Sequence, residues 1–345
     1  IGAGGNTTIA AGSLNNDAGS VTAVGDLAAT IGGAATNVGG TLAANGNTSL
    51  VAGTLDNSGG TAAAVNGNLS VTTAGATTNN GGNLQAGAAA TLVNGGLGNV
   101  GGKVIGDSLS VNTTGNTLNN TQGTLAATTT VALNSGALAN DAGLIQSGGA
   151  MTIATNGQAL SNTNAGGYAN GQGGITSGDT LALTTGAVNN TAGFIGAKNT
   201  LTADTQGFAN TGGGVVLGQS NVAINTNAAS YDNSGGQTLA AGDLGINAGS
   251  ITNTSGLIRS AATTTLNAGS IANTSTQGTD QGIEGQNVLI GTGDLNNNTG
   301  AIRADVNATL ISGGTVNNTN GLISAGDTLR IADPNAANPG AKTLN

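Results

Sequence analysis

Leu118-Asn119-Asn120-Thr121-Gln122-Gly123-Thr124-Leu125 is answered twenty residues later by Leu138-Ala139-Asn140-Asp141-Ala142-Gly143-Leu144-Ile145. Each stretch places an aliphatic residue two positions before an asparagine, a glycine three positions after it and an aliphatic residue five positions after it. An alternating apolar pair follows about eleven positions on, Val131/Leu133 in the first case and Met151/Ile153 in the second. Working outward, the Asn-x-x-Gly box recurs at Asn16, Asn37, Asn57, Asn79, Asn99, Asn120, Asn140, Asn190, Asn210, Asn233, Asn253, Asn297 and Asn318. Degenerate copies without the aligned glycine stand at Asn162 and Asn273, and most steps between boxes are 20–22 residues.

Each apolar group occupies three to five residues bounded by Gly, Asn, Asp or Thr, and no 3.6-residue stripe is present. This is a strand-and-turn pattern. Three short strands in constant order every 20–22 residues make one coil of a parallel β-helix, an all-β solenoid of about 15–16 coils. The reading gives one repeat array over 1–332, insertions at 163–174 and 276–282, and a loop with the start of a further coil over 333–345. Gly and Asn are expected at the φ > 0 corners between faces. The box asparagines are expected to turn inward and form a ladder along the axis; the rival is a solvated turn asparagine.

Composition narrows the function. The 345 residues include 64 Gly, no His, Cys or Trp, and only 6% charged residues, with a net charge of −9. That excludes the usual zinc ligand sets, Cys–His nucleophiles, Ser-His-Asp triads and disulfides. Residues 1–102 contain no Lys or Arg, so no nucleic-acid partner is expected. No apolar run approaches the roughly 18–20 residues of a membrane span. No catalytic, metal or cofactor site is expected. With no initiator Met or signal peptide, the chain reads as an internal stretch of a larger protein, continued on both sides.

The segments 118–125, Val188-Asn189-Asn190-Thr191-Ala192-Gly193-Phe194-Ile195 and Gly326-Asp327-Thr328-Leu329-Arg330-Ile331 resemble the repeats of the filamentous haemagglutinin family. These are large two-partner-secreted exoproteins of Gram-negative bacteria, including adhesins and contact-dependent growth-inhibition effectors. The resemblance implies a right-handed β-helical shaft that presents a distal adhesive or toxic module. It also implies export through an outer-membrane transporter partner, a secreted or cell-surface location, and a host or target-cell receptor or glycan as a further partner. A β-helical polysaccharide-binding or polysaccharide-cleaving protein of tailspike type is the alternative, and an ice-binding solenoid is disfavoured because threonines do not recur at fixed offsets.

Local features are weighed on the same register. Asp26, Asp107, Asp179, Asp243 and Asp327 read as turn residues. Asp280, Glu284 and Asp294 are the densest acidic group and a weak candidate for calcium. Arg259, Glu284 and Arg303 each follow the aliphatic residue after a box and should stack on one outer face. Phe208 and Tyr231 share the column before the box and should stack in the core. Tyr168 lies in the longest insertion, which is expected to protrude as a partner loop, with 276–282 the second such loop.

Overall fold

Side chains alternate inward and outward along strands of two to five residues, and each inward set is too small to form a core alone. A computed structural model, which describes residues 1–334, meets this by stacking. The chain divides into two units, Ile1–Asp179 and the part beginning at Thr180, each described by itself. Both are parallel β-solenoids, with about 16 turns in all.

In the first unit a turn runs through a post-box strand, Thr61–Ala64, a middle strand, Leu69–Thr73, and a pre-box strand, Thr77–Thr78. Each pairs in parallel with its equivalent one turn on: Thr61 with Asn83, Leu69 with Ala90, Thr77 with Leu97. The second unit repeats the pattern, with Phe194 against Val215, Leu201 against Val222 and Phe208 against Tyr231. Aliphatic residues therefore stack in columns. Leu84, Val104, Leu125, Ile145 and Ile175 fill the post-box column, each fully buried. Leu97, Leu118, Leu138 and Leu160 fill the pre-box column, again buried.

From Leu244 strands of the second unit merge: middle with pre-box in Leu244–Thr254 and Thr263–Thr274, all three in Gly282–Asn296, and post-box with middle in Ala301–Ser312. The separate three-strand reading does not anticipate this. Among the described residues helix is confined to two 3-10 turns, Ala165–Gly167 and Ala169–Gly171, and no helix is long and apolar enough to cross a membrane. The expected loop and further coil at 333–345 lie, from residue 335 on, outside the described residues.

The corners follow expectation in part: glycines such as Gly39 and asparagines such as Asn164 and Asn320 hold positive φ, but not they alone. No box asparagine has positive φ; the residue two positions after it does, whatever its identity. Ala18, Gln122, Ala142, Ala192, Ser255 and Thr299 all hold φ between 46° and 55°, as Gly39, Gly59 and Gly81 do near 61°. The aligned glycine is required for space instead. A Cβ on Gly60, Gly102 or Gly256 would lie 2.0–2.1 Å from the carbonyl oxygen of the preceding box asparagine.

Candidate functional site

The box asparagines carry the most regular polar geometry in each unit. In the first, Asn16 Nδ2 donates to Asn37 Oδ1, and the bond repeats through Asn57, Asn79, Asn99, Asn120, Asn140 and Asn162 at 2.6–2.8 Å. In the second it runs Asn190, Asn210, Asn233, Asn253, Asn273, Asn297, Asn318 at 2.7–2.8 Å. The same amide nitrogen reaches two carbonyls. Asn120 Nδ2, for example, donates to Gly123 O at 3.2 Å and to Leu144 O of the next turn at 3.1 Å. Buried amides need such complete pairing, because an unmatched one costs its full desolvation. The ladder includes Asn162 and Asn273, whose boxes lack the aligned glycine.

The asparagine or aspartate preceding the box has a separate task outside the core. Asn119 Oδ1 accepts from Thr121 N and Oγ1 at 3.0 and 2.7 Å, and Asn189, Asp56 and Asp232 do the same for Thr191, Ser58 and Ser234. The doublet Asn119-Asn120 thus divides into an outer turn cap and an inner rung. Within each unit small hydroxyls form further buried rungs that the sequence reading missed. Thr113 Oγ1 donates to Asn116 O, Ser135 Oγ to Gly136 O and Thr226 Oγ1 to Ala229 O. The signal was a Thr or Ser five to seven positions before a box.

The Gly-Asp corners link neighbouring turns. Asp26 Oδ1 accepts from Asn47 N at 2.7 Å, and Asp243 Oδ1 from Thr263 N at 3.0 Å. Asp107 takes the Thr128 hydroxyl and Asp327 N donates to Val306 O, whereas Asp179 N donates within its own turn to Ser177 Oγ.

The weak calcium candidate is overturned. Glu284 lies 2.8 Å from Arg303 and 3.8 Å from Arg259, and Asp280 lies 3.5 Å from Arg259. Asp294 sits ten residues further along the winding, where its Oδ1 accepts from Thr315 N. Register separates it from the other two carboxylates. Among the described residues no three His, Cys, Asp or Glu side chains stand together as a metal site. Arg259, Glu284 and Arg303 occupy one outer column over three turns, with Asp280 joining from the loop.

Phe208 and Tyr231 are buried neighbours with ring centroids 5.5 Å apart, tilted by 49°. Thr238 Oγ1 donates to Asn233 Oδ1 at 2.9 Å. The tyrosine hydroxyl, 2.6 Å from Thr238 Oγ1, is therefore the donor to it, which ties the aromatic pair to the asparagine ladder. Burial pushes the Tyr231 hydroxyl pKa well above its ordinary value, with the nearby Asp232 charge adding to the rise.

Both insertions are largely exposed, and each is also tied back to the stacked turns. Tyr168 is half-buried, and its hydroxyl lies 2.6 Å from Thr124 Oγ1, 44 residues back in the chain. The loop thus lies over the post-box face. In the second insertion, Arg303 Nη1 donates to Gln281 O at 3.0 Å, and Gln277 Nε2 donates to Asn320 O. Both loops begin at the boxes whose fourth position carries a side chain, Ala165 and Thr276. A Cβ does not fit there in a regular turn, so the chain leaves the turn. It rejoins at Gly174 and Gly282, both with positive φ, and register resumes as Gly174 pairs with Leu144 and Gly282 with Leu257.

A shallow trough of about 470 Å³ runs along the outer middle face of the second unit, past Thr202, Ala223, Gly245 and Thr265. Its wall amides bond along their own column: Asn225 Nδ2 to Asp204 Oδ1 at 3.2 Å and Asn247 Nδ2 to Asn225 Oδ1 at 3.4 Å. Compared with known protein families, curated proteins and solved structures, the chain matches none of them.

Proposed function

We propose that these solenoid units form part of the structural shaft of a secreted bacterial surface filament, of the adhesin or contact-dependent growth-inhibition kind, which presents a distal module. The observation that carries the reading is the asparagine ladder, hydrogen-bonded without interruption from Asn16 to Asn162 in the first unit and from Asn190 to Asn318 in the second, where it passes the 276–282 loop unbroken. The polar groups inside this solenoid serve turn stacking, which is what a repeat under mechanical tension needs. The repeat resemblance and the cysteine-free, weakly charged chain agree with passage through an outer-membrane transporter and folding outside. In this reading the chain is not an enzyme, and a receptor or glycan is met by the shaft or by what it carries.

The tailspike alternative shares the fold, and its cleaving form needs paired carboxylates about 5–9.5 Å apart and free to act. Asp280 and Glu284 are both engaged by Arg259. Antibody to the chain tests the proposal. It should label intact source cells or recover the protein from their medium, with surface protease removing the signal. Confinement to the cytosol would contradict it.

A further inference from the structure

The 163–174 insertion builds a depression of about 400 Å³ on the post-box face of the first unit, lined by Leu144, Gln146, Tyr168, Ala169, Gln172 and Thr176. That volume is at the low end of the roughly 300–1,000 Å³ of small-molecule sites. Among the described residues Tyr168 is its only aromatic side chain, fixed at its tip by the bond to Thr124. The loop behind it is held by its own backbone, through Gly167 N to Asn164 O at 2.8 Å, Gly171 N to Tyr168 O at 2.8 Å and Gly173 N to Ala165 O at 3.1 Å. Gly173 is needed for the ring's seat, because a Cβ there would lie 2.6 Å from Tyr168 Cβ. The site is therefore formed before any ligand arrives, which lowers the entropy cost of binding.

Among the described residues the lining has no charged group. That disfavours phosphates, carboxylates and metal cations as ligands. It offers an aromatic ring and the Leu144 and Ala169 side chains as apolar surface. Beside them stand the exposed amides of Gln146 and Gln172, neither with a side-chain partner among the described residues. Thr176 Oγ1 is shielded from solvent and also lacks a partner. In the trough of the second unit, by contrast, the amides bond one another. An apolar plate beside unsatisfied neutral donors and acceptors matches a ligand with one C–H face and an edge of hydroxyls.

We infer that this depression binds a neutral pyranose sugar, with the ring stacked on Tyr168 and its hydroxyls met by Gln146 and Gln172. The inference stands apart from the shaft reading: a shaft with no sugar site and a sugar site on some other solenoid are both consistent molecules. The test uses the whole 345-residue chain and the uncharged methyl glycosides of glucose, galactose and N-acetylglucosamine as probes, read by saturation-transfer NMR. The chain has two tyrosines and no tryptophan, so Tyr231→Phe leaves Tyr168 as the sole strong fluorophore for a parallel titration.

At least one glycoside should saturate, with transfer strongest to its axial ring protons. Tyr168→Ala should weaken binding about tenfold or more. Gln172→Ala, on the exposed rim where folding is not at stake, should weaken it several-fold, with the circular dichroism of both variants unchanged. Saturation by no glycoside, or equal affinity in wild type and Gln172→Ala, would overturn the inference. So would saturation by inorganic phosphate or by an uncharged peptide in place of the sugars.

Discussion

At the scale of the residue, the box obeys two different constraints that look alike in the sequence. The fourth position is glycine because a carbonyl occupies the place of its Cβ; the third is left-handed and carries Ala, Gln, Ser or Thr as often as Gly. Exchange at the two positions should therefore act in opposite directions. Gly102→Ala should cost about 3 kcal/mol, at the upper end of overpacking penalties. Ala142→Gly should make the protein up to about 1 kcal/mol more stable, because alanine strains at φ of +46°. Urea titration of both variants checks the pair. Asn120→Ala removes a rung, leaves Asn140 Oδ1 without its donor and leaves Asn99 Nδ2 with its two carbonyls alone, so a loss of about 3 kcal/mol is expected by the same measurement. Tyr231 brings a pH dependence. Its hydroxyl is harder to ionise when folded, so stability is whole below the unfolded tyrosine value of about 10 and falls as pH rises beyond it. Thermal unfolding followed from pH 9 to 12 should show that loss, and Tyr231→Phe should flatten it.

At the scale of the element, strands and their order were legible because apolar offsets from the box repeat in every turn. The burial of the asparagines was legible as one of two readings, since the same box serves a solvated turn. The course of the insertions was not legible. Nothing in Thr163–Gly174 marks Tyr168 as reaching back to Thr124, because that contact depends on two neighbouring turns being stacked beneath the loop. The acidic group misled for a similar reason: Asp280, Glu284 and Asp294 are close in sequence, but the winding carries Asp294 to another face. The second loop is held chiefly by Arg303, which meets Glu284 and Gln281 O. Arg303 is one-third exposed and Glu284 about one-fifth, so the ion pair adds under about 1 kcal/mol. Arg303→Ala should accordingly leave the unfolding midpoint nearly unchanged while amide exchange over 277–281 accelerates several-fold. Unchanged exchange would show that the loop holds itself.

At the scale of the whole molecule, each solenoid unit is a chain of nearest-neighbour contacts, and both the shaft and the sugar site depend on turns standing in register. Register is also what the absence of cysteine makes easy to test, since any introduced pair is free of background. Thr91 and Ser110 are exposed partners on adjacent turns, followed in the same column by Ala132 and Thr152. Neighbouring strands lie about 4.8 Å apart, within the Cα separation of roughly 4.4–6.8 Å that a disulfide spans. Mild oxidation of the double variant Thr91→Cys/Ser110→Cys should close an intramolecular disulfide nearly quantitatively in the folded protein, whereas Thr91→Cys/Thr152→Cys, three turns apart, should stay reduced. Failure of the first pair, or equal closure of both, would contradict the stacked solenoid.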